Sequence, residues 1–351
     1  MKSGLRDIAV AVIVVGTGAV AFAQGGQGAS CDRACLMGIA DAYFAALVAH
    51  DPAKAPMAPN AKFTEQAKVL PVGDGLWKTT TEGPTTFKIP VPDPVAGQIG
   101  VIAMIKANVP PPPARAGGPP TPPGPYAVQL ALRLKVQNRQ ITEAEHIYAT
   151  ITAPSQLAAL EKPRPALLAT VPPAQRSPRN LMLLIGNSYY DALMQSDGAA
   201  APFAEDCGRR ENGMHTAGAG APPPPPGVPA RGAAPQGGGP PGGFRIQACD
   251  EQLDSRAMSY ITSIDLRRVR IADEEKGLVF GFTMFRHPMT EKSVTILNKD
   301  GTTTERPMNF NPFDLEAAHI FKISGGKIHE IEAMGFSLPL YSKNAWSPFV
   351  R

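Results

Sequence analysis

The feature that most limits how this chain can fold is an internal repeat. Residues 42–51 align without a gap on residues 188–197, and the alignment continues until Glu65 lies over Glu211. Two further blocks follow in the same order along the chain. They place Asp93, Gly97 and Met104 over Asp273, Gly277 and Met284, and Lys135, Ile141, Glu143 and Glu145 over Lys322, Ile328, Glu330 and Glu332. Three blocks in one order predict two copies of one folding unit.

Each copy begins with a predicted helix and ends in predicted strands. Apolar residues recur at helical spacing at Leu36, Ile39, Ala40, Tyr43, Phe44 and Leu47, and at Leu181, Leu184, Ile185, Tyr189, Ala192 and Leu193. Alternating residues further along predict hairpins with turns at Gln137-Asn138 and at Ser324-Gly325-Gly326. Helices followed by antiparallel strands predict an α+β fold in which each curved sheet packs on its helices.

The first 23 residues have the pattern of an export signal. Lys2 and Arg6 precede an apolar run at 8–15, and small residues at Ala21 and Ala23 form a cleavage site. The run is short for a membrane span, so we expect a periplasmic or secreted protein that has no membrane-spanning segment. Lipidation at Cys31 is the disfavoured alternative, because residues 28–30 lack the expected apolar residue.

Export makes the four cysteines candidates for disulfides, with three pairings to choose from. We favour Cys207–Cys249, which would brace the base of a Pro/Gly insertion near 217–243 and contribute about 4 kcal/mol. Cys31–Cys35 is the pair that remains. A metal site is not expected, because the cysteines lack paired CxxC spacing and no HxxxH lies nearby.

Composition excludes some classes of function. The 38 prolines and 34 glycines are concentrated in three stretches, at 109–125, 163–178 and 217–243, which we expect to be extended connectors. They also leave open a third hypothesis, a structural protein that docks a proline-binding partner. The net charge is only +4 and no basic run is interleaved with aromatics, so nucleic-acid binding is not expected.

Several short motifs carry a resemblance to a known family. They are Cys31-Asp32-Arg33-Ala34-Cys35-Leu36, Ala49-His50-Asp51-Pro52, Phe63-Thr64-Glu65, Gly73-Asp74-Gly75-Leu76-Trp77, Pro202-Phe203-Ala204-Glu205-Asp206-Cys207, Glu211-Asn212-Gly213 and Ile331-Glu332-Ala333. With a Tyr-x-x-Ala-Leu helix and a final Phe-Lys-Ile-x-x-Gly-Lys-Ile hairpin, the chain resembles the nuclear transport factor 2-like superfamily in its SnoaL-like branch. It is most similar to secreted tandem proteins of that branch, which have no established activity.

The resemblance implies two tandem cone-shaped domains, at 31–160 and 179–351, joined by a Pro-rich linker at 161–178. Each cone would be a curved antiparallel sheet packed on N-terminal helices, with a pocket at its wide end. Since superfamily members often dimerise through their sheets, the two copies would pack as an internal pseudo-dimer, or the chain would form a homo-oligomer.

Comparing the copies gives candidate catalytic residues in the second. His319 occupies the position of Leu132, which indicates a polar group inside the second pocket; a core histidine bonded to a backbone carbonyl is the alternative. Glu332 matches Glu145 and becomes a candidate base if it faces inward, or else a partner of Lys322. The two donors that would oppose the base are Tyr189 and His287, for which packing and an exposed strand end are the respective alternatives.

Five further residues are candidates for substrate binding: Arg209, Glu211, Asn212, Trp77 and His146. Arg209 would attract an anionic group, although a solvated charge is the commoner explanation for such a residue. Trp77 would wall an apolar ligand, with a core tryptophan as the alternative. More of the chemical groups are unique to the second copy, so we expect the site there.

The leading hypothesis is an exported enzyme that uses metal-free general acid–base chemistry without a cofactor. It would act as a lyase or dehydratase, an isomerase or a hydrolase on a small, partly apolar oxygenated molecule. No Gly-rich phosphate loop, GxSxG or HExxH occurs, which argues against nucleotide enzymes, α/β-hydrolases and zincins. The alternative is a non-catalytic periplasmic binding protein with the same pocket.

Overall fold

The computed structural model describes residues 30–111, 123–218 and 247–347. The predicted export signal and most of two Pro/Gly-rich stretches lie outside these ranges. Among the helices inside them, none combines the length and apolar character that crossing a membrane requires.

The described residues form six α-helices and fifteen strands. The helices are α1 Arg33–Val48, α2 Leu76–Thr79, α3 Pro154–Ala159, α4 Pro165–Leu168, α5 Arg179–Gln195 and α6 Cys249–Asp254. The strands are β1 Met57–Glu65, β2 Lys68–Leu70, β3 Thr80–Glu82, β4 Lys88–Asp93, β5 Gln98–Ala107, β6 Tyr126–Gln137, β7 Gln140–Ile151, β8 Phe203–Glu211, β9 Met214–Gly218, β10 Ser263–Asp273, β11 Leu278–His287, β12 Ser293–Leu297, β13 Thr303–Pro307, β14 Phe313–Ser324 and β15 Lys327–Pro339. The mixed α+β class is therefore confirmed.

The strands build two large sheets with the same order. In the first half of the chain the order is β2-β1-β7-β6-β5, with β3 and β4 both pairing with β5. In the second half it is β9-β8-β15-β14-β11-β10. The pairs β1–β7 and β8–β15 are parallel, and the other pairs are antiparallel. The small hairpin β12–β13 has no counterpart among the described strands of the first half.

Strand registers are also the same in the two halves. Equivalent cross-strand pairs are Lys135–Glu143 with Lys322–Glu330, and Glu65–His146 with Glu211–Ala333. The residues that align in the sequence repeat therefore occupy equivalent places in the two sheets, and each residue of one cone can be compared with its counterpart in the other.

The two sheets pack against each other, and each carries a helix on its outer face. Helix α1 and strands β5 to β7 enclose one apolar core, while α5 and strands β11, β14 and β15 enclose a second. A third core lies between the sheets and includes Ile102, Phe280 and Phe282. Strand residues therefore alternate between a helix-facing cone and the layer between the sheets.

The halves are also joined by a reciprocal pair of ion pairs. Arg33, the first residue of α1, reaches Asp273 of the second half at 2.5 Å. Arg179, the first residue of α5, reaches Asp93 of the first half at 2.8 Å. Because Asp93 and Asp273 are equivalent in the repeat, each helix is anchored to the sheet of the other half.

Both predicted disulfides are confirmed. Cys31–Cys35 joins the start of α1 to its first turn. Cys207–Cys249 joins β8 to α6 and closes the segment that holds the Pro/Gly insertion. Closing so long a segment restricts the unfolded chain more than the short first bridge does.

Three local predictions are wrong. Leu181 and Leu184, which the spacing placed on the buried face of α5, are exposed, and Met182 and Tyr190 are buried in addition to the predicted Ile185, Tyr189, Ala192 and Leu193. The first hairpin turns at Asn138-Arg139, one residue later than predicted, with positive φ at both residues. The linker is not an extended solvated connector, because it contains α4 and buries Leu167 completely.

Candidate functional site

The second half contains a cavity of about 510 Å³ inside its cone. Most of the lining is apolar or aromatic. Six polar residues of the lining are ones that the sequence singled out: Tyr189, Arg209, Glu211, Asn212, His287 and His319. A pocket of this volume, apolar with few polar groups, is typical of a small-molecule site.

Four different elements bring the polar side chains together. Tyr189 comes from α5, and Arg209 and Glu211 lie two residues apart on β8 and so point to the same face. His287 ends β11, and His319 lies in the middle of β14. The lining also includes Tyr260, Met289, Phe310 and Phe313.

Arg209 is buried in the cavity wall. Its Nε donates to Thr216 Oγ1 at 2.8 Å, and its Nη1 donates to Tyr189 Oη at 2.8 Å. Burial favours the neutral form, but the nearby Tyr189 and Glu211 outweigh it and raise the pKa of Arg209. The guanidinium therefore stays charged, and the solvated charge considered above does not describe it.

Tyr189 is held between this guanidinium and an aromatic wall. Its ring lies 5.7 Å from that of His319 and 5.4 Å from that of Phe321. Burial raises the pKa of Tyr189, and the Arg209 guanidinium partly opposes that effect. Because its oxygen accepts from Arg209, the hydroxyl proton remains available to donate.

Both histidines of the cavity are neutral at ordinary pH. Burial, assisted by the Arg209 charge, lowers the pKa of His319 to about 3. His319 Nδ1 is buried with no hydrogen-bond partner among the described residues, so it is not a histidine bonded to a backbone carbonyl through that nitrogen. Burial lowers the pKa of His287 to about 4, and its ring stacks on Phe313 at 4.2 Å.

Two adjacent residues at the end of β8 have different roles. Glu211 is half-buried, and its carboxylate makes no hydrogen bond or ion pair within the described part of the chain. The Asn212 amide, by contrast, donates to Gly335 O at 3.0 Å and accepts from Gly335 N at 3.1 Å. Asn212 thus lines the cavity but is occupied in holding β8 against β15, whereas Glu211 is free to meet a ligand.

The structure does not bring Glu332 to the cavity. Its neighbours Ile331 and Ala333 face the cone, so Glu332 points into the layer between the sheets, where Arg164 Nη2 lies 3.2 Å from its Oε2. Burial raises the pKa of Glu332 although Arg164 opposes the shift. The alternative of a Glu332–Lys322 pair is also wrong, because Lys322 Nζ donates to backbone carbonyls.

Trp77 and His146 lie in the core of the first half, away from the cavity. His146 Nε2 lies 2.9 Å from Tyr43 Oη, and His146 Nδ1 lies 3.2 Å from Glu65 Oε2. Trp77 packs edge-on against Tyr43 with ring centroids 4.9 Å apart. All four side chains are buried, so the first cone is filled at the level where the second is open.

Sequence reasoning missed several residues of the site. They are the apolar, hydroxyl and sulfur-bearing groups Thr216, Met214, Met258, Tyr260, Met289, Phe310 and Phe313. Most of them lie in segments that the repeat alignment skips, so no counterpart in the first copy marked them. Among the described residues, no group of three or more His, Cys, Asp or Glu side chains is arranged to hold a metal ion.

Residues 175–335 match a protein family described as "Domain of unknown function (DUF8021)". The matched range covers Tyr189, Arg209, Glu211, His287 and His319. No curated protein matches the sequence.

Solved structures with a similar shape include two bacterial proteins. One is a hypothetical protein with a ketosteroid isomerase-like fold from Catenulispora acidiphila in complex with trimethylamine; it is 17% identical, has a TM-score of 0.23, and the match covers 36% of this chain and 93% of that chain. The other is a nuclear transport factor 2-like protein from Burkholderia thailandensis, 18% identical with a TM-score of 0.21, covering 45% of this chain and 90% of that chain. At these scores neither similarity carries a conclusion about the function of this chain.

Proposed function

We propose that the second half is an enzyme that moves a proton on a small, partly apolar oxygenated molecule. The observation that carries the proposal is one cavity of about 510 Å³ that holds a carboxylate with no hydrogen bond or ion pair to the described residues, together with a phenol polarised by a buried guanidinium. A base and a hydrogen-bond donor facing one apolar space are the minimum set for acid–base catalysis.

Glu211 is the proposed proton acceptor. It is the carboxylate of the cavity lining, and no hydrogen bond or ion pair within the described residues occupies it. His319 does not suit this role, because an imidazole whose pKa lies at about 3 is a weak base near neutral pH. Glu332 is left out because it faces the layer between the sheets.

Tyr189 is the proposed donor to the substrate oxygen. Its oxygen accepts from Arg209 Nη1 at 2.8 Å, which leaves its own proton directed elsewhere. Negative charge that develops on a carbonyl oxygen would be stabilised by this phenol and by the guanidinium behind it. Such an arrangement suits isomerisation or elimination next to a carbonyl better than hydrolysis, for which a positioned water or nucleophile is needed.

The proposal extends to the organisation of the chain. We take residues 31–160 and 179–351 as tandem domains of the nuclear transport factor 2-like type, supported by their equal strand order and register. Two disulfides are consistent with export to an oxidising compartment.

The proposed activity is tested by deuterium exchange. The full chain, with both disulfides formed, is incubated in deuterium oxide with tetralone, cyclohexenone and oxocyclohexanecarboxylate. A base near the carbon next to the carbonyl would remove a hydrogen from that carbon, and deuterium from the solvent would replace it. Mass spectrometry detects this exchange even without net reaction. We expect exchange of at least one probe well above its rate in buffer, reduced about a hundredfold in Glu211→Gln and in Tyr189→Phe.

Matched controls come from the equivalent and adjacent positions. Glu65→Gln alters the carboxylate equivalent to Glu211 in the filled cone, and Glu332→Gln alters a carboxylate on the opposite face of the sheet. Both should leave exchange unchanged. Exchange that survives Glu211→Gln would contradict the assignment of the base.

The second candidate function is a binding protein without turnover. It is favoured by the methionine- and aromatic-rich lining and by the neutral state of both histidines, which leave most of the cavity chemically inert. Probe retention on the protein without exchange would support it over the enzyme.

A further inference from the structure

The wall of the cavity contains a buried positive charge without an anionic partner. Only 4% of Arg209 is exposed. Its hydrogen-bond acceptors are all uncharged: the hydroxyls of Thr216 and Tyr189 and, at 3.9 Å, Met258 Sδ. Within the described part of the chain, no carboxylate forms an ion pair with it.

Two other arginines of the same chain that are largely shielded from water are paired with a carboxylate. Arg268 donates to both oxygens of Glu145 at 2.7 and 2.6 Å. Arg133 also donates to Glu145, at 2.9 Å. Removing a charge from water costs several kcal/mol, so such pairing is the usual condition for burying one. Arg209 differs from Arg133 and Arg268 because it forms no ion pair with a carboxylate among the described residues.

Glu211 does not supply the missing partner. Its charge acts on Arg209 from a distance and helps to raise the pKa of the guanidinium. It nevertheless makes no contact with the guanidinium and is half-buried, so water screens it more than it screens Arg209. The strongest interaction still open to Arg209 is with a group that enters the cavity.

We propose, on the basis of the proposed function of this cavity, that its ligand is a small cyclic or aromatic monocarboxylate whose carboxylate pairs with Arg209. The ring would occupy the apolar remainder of the cavity, among Phe285, Met258 and the stacked pair of His287 and Phe313.

The charge of the lining favours a carboxylate over a phosphate. Arg209 is the only Lys or Arg side chain among the residues that line the described cavity. Two of its nitrogens already donate to protein hydroxyls, which leaves few donors for a ligand. One partly occupied guanidinium can balance a single charge, whereas a phosphate monoester carries close to two near neutral pH.

Calorimetry on the full chain tests the proposal with two probes of equal shape. The probes are trans-cinnamate and its neutral analogue trans-cinnamamide, both small enough for the cavity. We expect the wild-type protein to bind the carboxylate at least tenfold more tightly than the amide. Arg209→Met keeps the approximate length of the side chain and removes its charge. In this variant the preference for the carboxylate over the amide should vanish or reverse.

Arg210→Met is the matched control. Arg210 is the next residue of β8 and points to the opposite face, where it donates to Ala159 O. The Arg210→Met protein should retain the full preference for the carboxylate. Arg209→Lys, which keeps a positive charge without the planar fork, should retain part of it and guards against a loss caused by misfolding of Arg209→Met.

Each outcome decides something different. Equal affinity of the wild-type protein for the two probes would overturn the carboxylate assignment but leave a small-molecule cavity. Absence of binding by either probe would also overturn it, while the deuterium exchange of neutral ketones would still judge the proposed activity separately. A preference that survives in Arg209→Met would show that another group holds the anion.

Discussion

The two halves of this molecule share a strand order and register, but they use their cones differently. In the first half, His146 hydrogen-bonds to both Tyr43 and Glu65, and the three buried side chains fill the space. In the second half the position of His146 is occupied by Ala333, and a cavity of about 510 Å³ remains. The same backbone therefore supports either a packed polar core or an open pocket.

Three equivalent positions account for much of the difference. They pair His146 with Ala333, Phe63 with Arg209, and Leu132 with His319. In the first half the polar groups satisfy one another inside the protein. In the second half Arg209, Glu211 and His319 Nδ1 lack full partners among the described residues. Unsatisfied buried groups cost stability, and their presence together in one cavity is typical of a functional site.

The largest expected effect concerns the covalent brace of the open half. Replacing Cys207 and Cys249 by serine should lower the free energy of unfolding by about 4 kcal/mol, and replacing Cys31 and Cys35 by about 2 kcal/mol, because the first pair closes a longer segment. Urea unfolding followed by circular dichroism measures both. Equal losses of unfolding free energy in the two variants would contradict this dependence on the length of the closed segment.

Exchanging the residues that fill or open the cones gives the next effect. His146→Ala should cost about 3 kcal/mol, since it leaves a cavity and removes a partner of both Tyr43 and Glu65. Ala333→His places the same side chain in the second cone and should block binding of cinnamate. Urea unfolding and calorimetry give the two readouts, and unimpaired binding by Ala333→His would refute the comparison of these positions.

The smallest expected effect is a pH dependence that belongs to the second cone alone. The unfolded chain binds a proton on histidine at about pH 6.5, whereas the pKa of His319 in the folded protein is about 3. Its stabilising contribution is therefore complete above about pH 6.5 and declines as the pH falls toward 3. His319→Leu, which introduces the residue of the first cone, should flatten this decline by about 1 kcal/mol per pH unit between about pH 6 and 4.

Urea unfolding at several pH values measures that slope. Burial raises the pKa of Glu316 to about 7, which acts in the opposite sense: its contribution is complete below the unfolded pKa and declines as the pH rises through 7. The contribution of Glu316 is present in both the wild-type protein and His319→Leu, so it cancels when their slopes are compared. His329→Gln, a histidine outside the cavity, controls for the loss of a histidine. An unchanged slope in His319→Leu would contradict burial of a neutral imidazole.

Local patterns predicted the elements of the fold well. The repeat, both main helices, the hairpins and both disulfides follow from spacing, turn residues and cysteine positions. The exposure of Leu181 and Leu184 on α5 does not, because single exposed apolar residues are normal on protein surfaces. Which side of a helix is buried depends on what packs against it.

The site was harder to predict for a similar reason. Strands β14 and β15 are covered on both faces, so apolar alternation does not show which face lines the cone. His319 and Glu332 were therefore equal candidates, although one faces the cavity and the other the second sheet. His319 could be predicted as a cavity residue because it aligns with Leu132, an apolar residue of the first copy.

The reciprocal contacts of Arg33 with Asp273 and of Arg179 with Asp93 give the chain the internal symmetry of a dimer. In a dimer of identical chains every substitution appears twice, so a pocket opened in one subunit opens in both. In this protein the two halves belong to one chain, so each half can change its sequence independently and the two cannot dissociate on dilution. One half can remain a packed support while the other gives up packing to keep an open cavity, a division of labour that identical subunits cannot achieve.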